Sequence, residues 1–199
     1  MSKKIYLFRH GETDWNKENR IQCSVDIELN EEGINQAIIV SNNLKEKGIQ
    51  HIYSSPLKRA YKTAEILANK INVKIEIIEN LKEMFGGDYE GKLKSEIMME
   101  FGEEKYKKFF HGKDDGMDLS YPNGEKKRDV RERINKAIEN ICKNTNFDII
   151  GISSHGFALG EFIKSSDFED FSSLKNCEVI EAEYKNGEIK VLNRIKYEN

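Results

Sequence analysis

The chain has few cysteines and no long run of apolar residues. Its three cysteines, Cys23, Cys142 and Cys177, are widely spaced and form no Cys-x-x-Cys pair. An odd number at this spacing argues against a disulfide framework, so we expect free thiols in a reducing compartment. No stretch approaches the roughly 20 apolar residues of a membrane-spanning helix. The short apolar run at 5–8 cannot form the apolar region of a secretion signal, so we expect a cytoplasmic protein.

The chain also has little net charge. Its 35 acidic and 32 basic residues leave a formal charge of −3 at neutral pH. This balance gives no overall attraction to nucleic acid or to an anionic membrane, and we expect neither as a partner. Any anion site must therefore come from local clustering of Arg and His. A length of 199 residues with 38% hydrophobic residues predicts one globular domain over 1–199.

Hydrophobic periodicity predicts strands that alternate with helices. The predicted strands are 5–8, 49–53, 73–78 and 148–153, followed by a hairpin over 178–193 with Asn186-Gly187 at its turn. The predicted helices are 31–47 after an Asn30 cap, 57–70 with Pro56 at its first position, one opening at Asn123, and 157–164. This alternation predicts a three-layer α/β/α sandwich with a mostly parallel sheet.

The sequence pattern also predicts how the helix after Asn30 and the segment 92–122 pack. Ile34, Ala37, Ile38, Ser41 and Leu44 repeat at helical spacing, which predicts that these five residues share the face of the helix turned to the core. The charged segment 92–122 carries scattered aromatic residues and predicts one or two short helices in an insertion over the sheet edge. Its aromatic residues are expected to form the core of that insertion rather than a wall facing substrate.

Charged and polar side chains follow the predicted strands where those strands end. The first strand ends in Arg9-His10-Gly11, the fourth ends in Ser154-His155-Gly156, and Arg59 opens the helix after the second. The carboxyl ends of parallel strands share one edge of a sheet, where open α/β folds bind ligands. Two imidazoles, two guanidiniums and several helix N-termini at that edge are suited to a tetrahedral dianion.

Four motifs occur in order along nearly the whole chain. They are Leu-Phe-Arg-His-Gly-Glu-Thr at 7–13 with Asn16, Arg20 and Gln22; Ser-Pro-Leu-Lys-Arg-Ala at 55–60 with Thr63 and Ala64; Leu-Lys-Glu at 81–83 with Gly-Asp-Tyr-Glu-Gly at 87–91; and Ser-His-Gly at 154–156. Together they resemble the histidine phosphatase superfamily, in its phosphoglycerate mutase-like branch. The resemblance implies that family's fold, with 92–122 as a small cap insertion over the active site.

The resemblance also implies a mechanism without metal ion or cofactor. His10 would take the phosphoryl group as a phosphohistidine, and Arg9, Arg59 and His155 would hold the phosphoryl oxygens. Glu83 would protonate the leaving oxygen and then activate water. The remaining substrate-binding residues implied by the resemblance are Asn16, Gln22, Cys23 and Gly156.

Some residues also have a non-catalytic interpretation, and some differ from the residue that the family usually has at that position. Without its motif, Glu83 would be read as a surface carboxylate, and His51 and His111 are expected to be bystanders. Cys23 stands where the family usually has glycine. Other departures, which put the substrate of any relative in doubt here, are Lys126, Phe157 and Gly160.

Four functions remain open at this point. The favoured one is hydrolysis of a small phosphorylated metabolite, and the second is a phosphoglycerate mutase. Mutases that resemble this chain carry an Arg pair in a longer middle segment, whereas here no arginine lies between Arg59 and Arg128. The third is a non-catalytic phosphate-binding regulatory module, and the fourth is a metal-dependent hydrolase. The chain could act as a monomer or a dimer.

Overall fold

The computed structural model describes residues 2–197, so Met1, Glu198 and Asn199 of the predicted 1–199 domain lie outside the described residues. The described part is built on one mixed sheet with the strand order β3-β2-β4-β1-β5-β6. The strands are β1 (Ser2–Arg9), β2 (His51–Ser54), β3 (Ile75–Ile77), β4 (Ile149–Ser154), β5 (Val179–Lys185) and β6 (Glu188–Ile195).

The first four strands form the parallel part of the sheet. β1 and β2 both pair in parallel with β4, and β3 pairs in parallel with β2. The β5–β6 hairpin adds antiparallel pairings on the other side of β1. At its turn Asn186 and Gly187 both have positive φ, 55° and 89°, as the predicted turn requires. The predicted α/β fold with a mostly parallel sheet is confirmed.

Helices cover both faces of the sheet. They are α1 (Asp14–Lys17), α2 (Glu31–Leu44), α3 (Lys58–Ile71), α4 (Lys94–Phe101), α5 (Glu103–Phe110), α6 (Lys127–Asn144) and α7 (Gly156–Lys164). Side chains alternate along β1, so Tyr6 and Phe8 pack with α2 and α3 on one face. Ile5 and Leu7 pack with α6 and α7 on the other. The molecule therefore has the predicted three layers.

Two predicted helix starts are wrong. The long helix α6 begins at Lys127 rather than Asn123, because Asn123 has a φ of 57° in the left-handed region, where a helix cannot continue. The α3 helix begins at Lys58, and Pro56 lies in the turn before it, with Leu57 at the cap position. By contrast, Asn30 caps α2 as predicted, and its side chain accepts from Gly33 N.

The predicted inward face of α2 is partly wrong. Ile34 and Ile38 are 37% and 42% exposed, whereas Ala37, Val40 and Leu44 are buried against the sheet. Ala37 lies in the middle of this buried stripe and is fully buried. Among residues 2–197, no helix has the length and apolar character needed to cross a membrane.

Candidate active site

The carboxyl ends of the central strands bring two histidines together. β1 and β4 run in register to their last residues, Arg9 and Ser154, and β2 ends beside them. His10 and His155 follow directly, and their ring centroids lie 5.2 Å apart. The convergence expected from the strand ends is therefore present in the structure.

His10 is held in one tautomer. Its Nδ1 lies 2.7 Å from the carbonyl oxygen of Gly11, which can only accept, so Nδ1 carries the hydrogen. Arg59 Nε donates to His10 Nε2 at 3.3 Å. Burial lowers the pKa of His10 well below its ordinary value, and the charges of Arg59 and Arg9 lower it further. The ring is therefore neutral at pH 7, with its lone pair on Nε2.

Arg59 connects His10 to a neighbouring loop. The side chain is 1% exposed, and its guanidinium donates to the carbonyl oxygens of Val25 at 2.7 Å and Cys23 at 2.6 Å. Burial lowers the pKa of Arg59 to about 10, so it stays charged at neutral pH. Cys23 has a φ of 45°, which is uncommon for a non-glycine residue, at the position where the family usually has glycine. Burial raises the pKa of the Cys23 thiol, so this thiol is neutral.

Ser55 fixes the second histidine. Leu57 N donates to Ser55 Oγ at 3.3 Å, and Ser55 Oγ lies 2.7 Å from His155 Nε2. We assign the hydroxyl hydrogen to His155 Nε2, because no other acceptor for it lies among residues 2–197, and this assignment leaves the hydrogen of His155 on Nδ1. This Nδ1 is buried and has no partner among the described residues. Burial, then Arg59, His10 and Arg9, lower the pKa of His155 well below its ordinary value.

Glu83 lies at the N-terminus of α7. Its Oε2 accepts from Phe157 N at 2.9 Å, and its Oε1 accepts from Ala158 N at 2.9 Å and Met84 N at 3.0 Å. A carboxylate is favourable there because the first N–H groups of a helix have no partner within the helix. The interpretation as a freely solvated surface carboxylate is therefore wrong, since three backbone hydrogen bonds fix this side chain in the pocket wall.

The segment that carries Glu83 is held from two sides. Ser154 Oγ donates to Leu81 O at 2.7 Å. Arg133 of α6 donates to the carbonyl oxygens of Asn80 and Lys82, both at 2.9 Å. Neither contact was predicted from the sequence, because each joins residues more than 50 positions apart.

Arg9 packs against the first residue of α7. A Cβ atom at Gly156 would lie 3.2 Å from Arg9 Nε, so glycine allows the guanidinium to lie flat against the helix start. Arg9 Nη1 donates to Leu174 O at 2.6 Å, while its buried Nε has no partner among residues 2–197. Gln22 Oε1 is likewise buried and unpartnered there. Within the described part of the chain, Arg9 Nε and His155 Nδ1 are therefore donors without a partner, and Gln22 Oε1 is an acceptor without one.

Asn16 is oriented by a residue that sequence reasoning missed. Asn176 Nδ2 donates both to His10 O at 3.0 Å and to Asn16 Oδ1 at 3.2 Å, and Thr13 N also donates to that oxygen. The amide nitrogen of Asn16 is thereby free to donate into the pocket. Asn176 lies 160 positions away in the chain, and no motif marks it.

These side chains line a pocket with a cavity volume of about 190 Å³. Its inner part contains Arg9, His10, Asn16, Gln22, Cys23, Arg59, Glu83 and Gly156. His155 contacts this inner part through its ring interaction with His10. Among residues 2–197, no three His, Cys, Asp or Glu side chains are grouped as a metal site.

The outer part of the pocket is aromatic. Tyr106 and Phe110 of α5 line it together with Phe157 of α7 and Phe171. The expectation that the aromatic residues of 92–122 only form the core of an insertion is therefore incomplete. Helix α5 has two faces: Phe109 is fully buried behind the wall, and Phe110 faces the cavity.

Of the two remaining histidines, one lies at the pocket. His111 follows α5 and lines the cavity, and its role as a bystander to the chemistry stays a prediction. His51 instead stacks on Phe147, with ring centroids 4.9 Å apart, and does not belong to the pocket wall. Lys94 also lines the pocket, and desolvation followed by the charge of Arg9 lowers its pKa.

Comparisons with known proteins agree with this geometry. The sequence model of the histidine phosphatase superfamily, branch 1, matches residues 5–195. The Escherichia coli protein named probable phosphoglycerate mutase GpmB is 34% identical over 187 residues, which are 92% of this chain and 85% of that protein.

Two solved structures are also similar. One is a phosphoserine phosphatase from Entamoeba histolytica in complex with 3-phosphoglyceric acid. It is 29% identical to this chain with a TM-score of 0.78, and the match covers 98% of each chain. The structure named mycobacterial hydrolase 1 has a TM-score of 0.83 and covers 96% of each chain, and its 20% identity supports the fold alone. The chain belongs to the histidine phosphatase superfamily, branch 1.

Proposed function

We propose that this protein is a phosphomonoester hydrolase that acts through a phosphohistidine on a small phosphorylated metabolite. The observation that carries the proposal is the state of His10: a neutral ring whose Nε2 lone pair lies within a cluster of two arginines and a second histidine. The phosphoserine phosphatase similar to this chain supports a phosphatase-type reaction.

In the first step, His10 Nε2 attacks phosphorus and the ester P–O bond breaks. The phosphoryl oxygens take the hydrogen bond that Arg59 Nε otherwise donates to His10, which frees the lone pair. Arg9 Nε, His155 Nδ1 and the Asn16 amide donate to the same oxygens, while Gln22 and the backbone at Cys23 and Gly156 complete the binding site. Glu83, in its protonated form, gives its proton to the leaving oxygen.

In the second step, the carboxylate of Glu83 takes a proton from water. The resulting nucleophile attacks phosphorus, the P–N bond to His10 breaks, and inorganic phosphate leaves. The three backbone donors at the start of α7 keep this carboxylate in one orientation through both steps. Phosphoryl transfer depends mainly on positioning and electrostatics, so two fixed guanidiniums supply the positive charge that a metal ion provides elsewhere.

The chain is proposed to act as a single domain, with 92–122 as its cap. This segment supplies α4, α5 and two residues of the aromatic outer wall, Tyr106 and Phe110. The non-catalytic alternative is disfavoured because it predicts the loss of at least one catalytic group, and every group that the mechanism needs is present.

A phosphoglycerate mutase is the second candidate, because a relative bearing that name is 34% identical. A mutase must hold a second anionic group and shield the phosphohistidine from water. The further Lys and Arg residues of the pocket wall are Arg20, Lys94 and Lys164. Arg20 is already bonded to Glu18 and to Gly91 O, and Lys164 to the buried carboxylate of Glu161. We favour hydrolysis because a lysine cannot make the bidentate contact that an arginine pair gives.

The choice is tested with 3-phosphoglycerate in the presence of 2,3-bisphosphoglycerate. We expect little isomerisation, and release of inorganic phosphate from at least one member of a panel of phosphorylated metabolites. Isomerisation at about 10–10³ per second, the usual range of efficient enzymes, would favour the mutase instead.

A further inference from the structure

Gly160 occupies an unusual place in the pocket. It lies inside α7, where glycine is less favourable than alanine because it has more conformational freedom to lose. Its φ is not positive, so the backbone does not require glycine. A Cβ atom built there would meet nothing within 4 Å, so packing does not require it either. Gly160 lines the cavity, and any side chain there would therefore take up pocket volume.

Four aromatic side chains line the cavity around this space, together with His111 and Lys164. Phe157 precedes Gly160 by one helical turn, and Phe110 packs edge-to-face on Phe157 with ring centroids 5.5 Å apart. Tyr106 packs on Phe110 at 4.6 Å, and Phe171 closes the wall from the segment after α7. Flat apolar surface on several sides favours a flat apolar ligand group, since aromatic rings stack in offset or edge-to-face arrangements.

The aromatic wall is held rigidly from behind. Phe109 is fully buried and stacks on Phe157 at 5.0 Å. Lys164 donates to Phe110 O at 2.6 Å and to the buried carboxylate of Glu161 at 2.9 Å. These contacts fix the end of α5 against α7, so the space over Gly160 exists before a ligand binds.

We propose that the space over Gly160 is a leaving-group subsite for a phosphomonoester whose alcohol carries a flat, apolar ring. Gly160 is then a specificity-determining residue, and Tyr106, Phe110, Phe157 and Phe171 form the subsite wall. The proposal rests on the hydrolase function, because it names the class of substrate for the same site. It adds that the part of the substrate away from the phosphate is aromatic rather than small and polar.

The test uses two substrates with alcohols of similar basicity, 2-(1-naphthyl)ethyl phosphate and ethyl phosphate. Their leaving oxygens need the same chemistry, so a difference in kcat/KM reports the subsite. We expect kcat/KM to be at least tenfold higher for the naphthyl substrate. Gly160→Leu should lower it by about 10–100-fold for the naphthyl substrate, the usual effect of overfilling a pocket, and less than threefold for ethyl phosphate.

Two control variants separate this effect from damage to the fold. Gly160→Ala should raise Tm by about 1–4 °C, because alanine favours the helix, and should reduce naphthyl selectivity less than leucine does. Phe147→Leu removes an aromatic ring that stacks on His51 outside the pocket, and should leave the ratio of the two kcat/KM values unchanged.

The outcomes that overturn the proposal are distinct from failure of the hydrolase function. Equal kcat/KM values for the two substrates, or equal losses on both in Gly160→Leu, would contradict the subsite. If neither substrate is hydrolysed, the hydrolase function fails on these esters. The subsite is then tested by calorimetry, with the two matching phosphonates binding to wild type and to Gly160→Leu. Tighter binding of the naphthyl phosphonate than of the ethyl phosphonate in wild type, but not in Gly160→Leu, supports the subsite. Equal affinity of wild type for the two phosphonates overturns it.

Discussion

Replacing Glu83 by glutamine separates its proposed chemistry from its structural role. Both oxygens of Glu83 accept backbone hydrogen bonds, one from Phe157 N and the other from Ala158 N and Met84 N. A glutamine amide has one accepting oxygen, so its NH₂ group must face at least one of these N–H groups. Leaving such a donor unpaired costs about 1–3 kcal/mol, which should appear as a loss of folding stability.

The chemical effect depends on the leaving group. An alkyl phosphate leaves as a strongly basic alkoxide and needs a proton, whereas 4-nitrophenolate leaves well without one. Loss of the general acid should therefore slow phosphorylation by alkyl phosphates about 10²–10⁴-fold, or about 2.7–5.5 kcal/mol of barrier. The loss for 4-nitrophenyl phosphate should be at most about tenfold. The assay is single-turnover phosphorylation of Glu83→Gln with both substrates.

Glu90→Gln is the matched control. Glu90 Oε1 accepts from Ser24 N, Ser24 Oγ and Gly86 N at 2.7–3.0 Å, but Glu90 does not line the pocket. One oxygen of Glu90 accepts all three bonds, so the glutamine oxygen can keep them and little stability should be lost. The losses on the two substrates should then show no dependence on the leaving group. Equal losses on the two substrates in Glu83→Gln would refute the general-acid role and leave Glu83 as a positioning residue only.

Three further predictions follow from the same geometry. Hydrolysis of 4-nitrophenyl phosphate should persist in excess EDTA, since Arg9 and Arg59 supply the positive charge; loss of activity that Mg²⁺ or Zn²⁺ restores would contradict this. Ser55→Ala should lower kcat/KM about 10–100-fold and change the ¹⁵N-detected tautomer of His155, while Ser54→Ala, which loses only a bond to Ser55 O, should do neither. Burial and nearby arginines lower the pKa of His10 and His155 in the folded state, so below about pH 6.5 the unfolded chain binds protons that the folded chain does not. The urea midpoint should therefore fall from pH 6.5 towards pH 5, less steeply in His155→Asn; identical pH dependence in the two proteins would exclude this histidine as a cause.

The sequence predicted those parts of the site that come from local order along the chain. Arg9-His10 and His155 follow strands, and parallel strands place such ends at one edge whatever the rest of the fold does. Glu83 follows the short strand β3 and was assigned only through its motif. Two of the hydrogen bonds that hold Glu83 come from Phe157 and Ala158 of α7, which lie 74 and 75 positions further along the chain. Local periodicity cannot show contacts over such a separation.

The cap segment was the least predictable part. Helix α5 presents Phe109 to the core and Phe110 to the cavity, and neighbouring aromatic residues carry no local signal that distinguishes these two faces. The start of α6 was misplaced because Asn123 adopts a left-handed backbone conformation. Asparagine can adopt this conformation or cap a helix, so its identity does not decide between the two. Asn176 was missed because it acts through a contact with His10 and Asn16 at the other end of the chain.

The covalent intermediate on His10 tests the central claim most directly. Wild-type protein is mixed with ³²P-labelled substrate and quenched within milliseconds in detergent at neutral pH. Samples are then incubated in acid or in alkali, and a neutral sample is digested for peptide mapping. We predict label on His10 that is stable in alkali and labile in acid, and its absence, together with loss of turnover, in His10→Ala. Label on a serine, on Cys23 or on an aspartate, or unchanged label and turnover in His10→Ala, would contradict the mechanism.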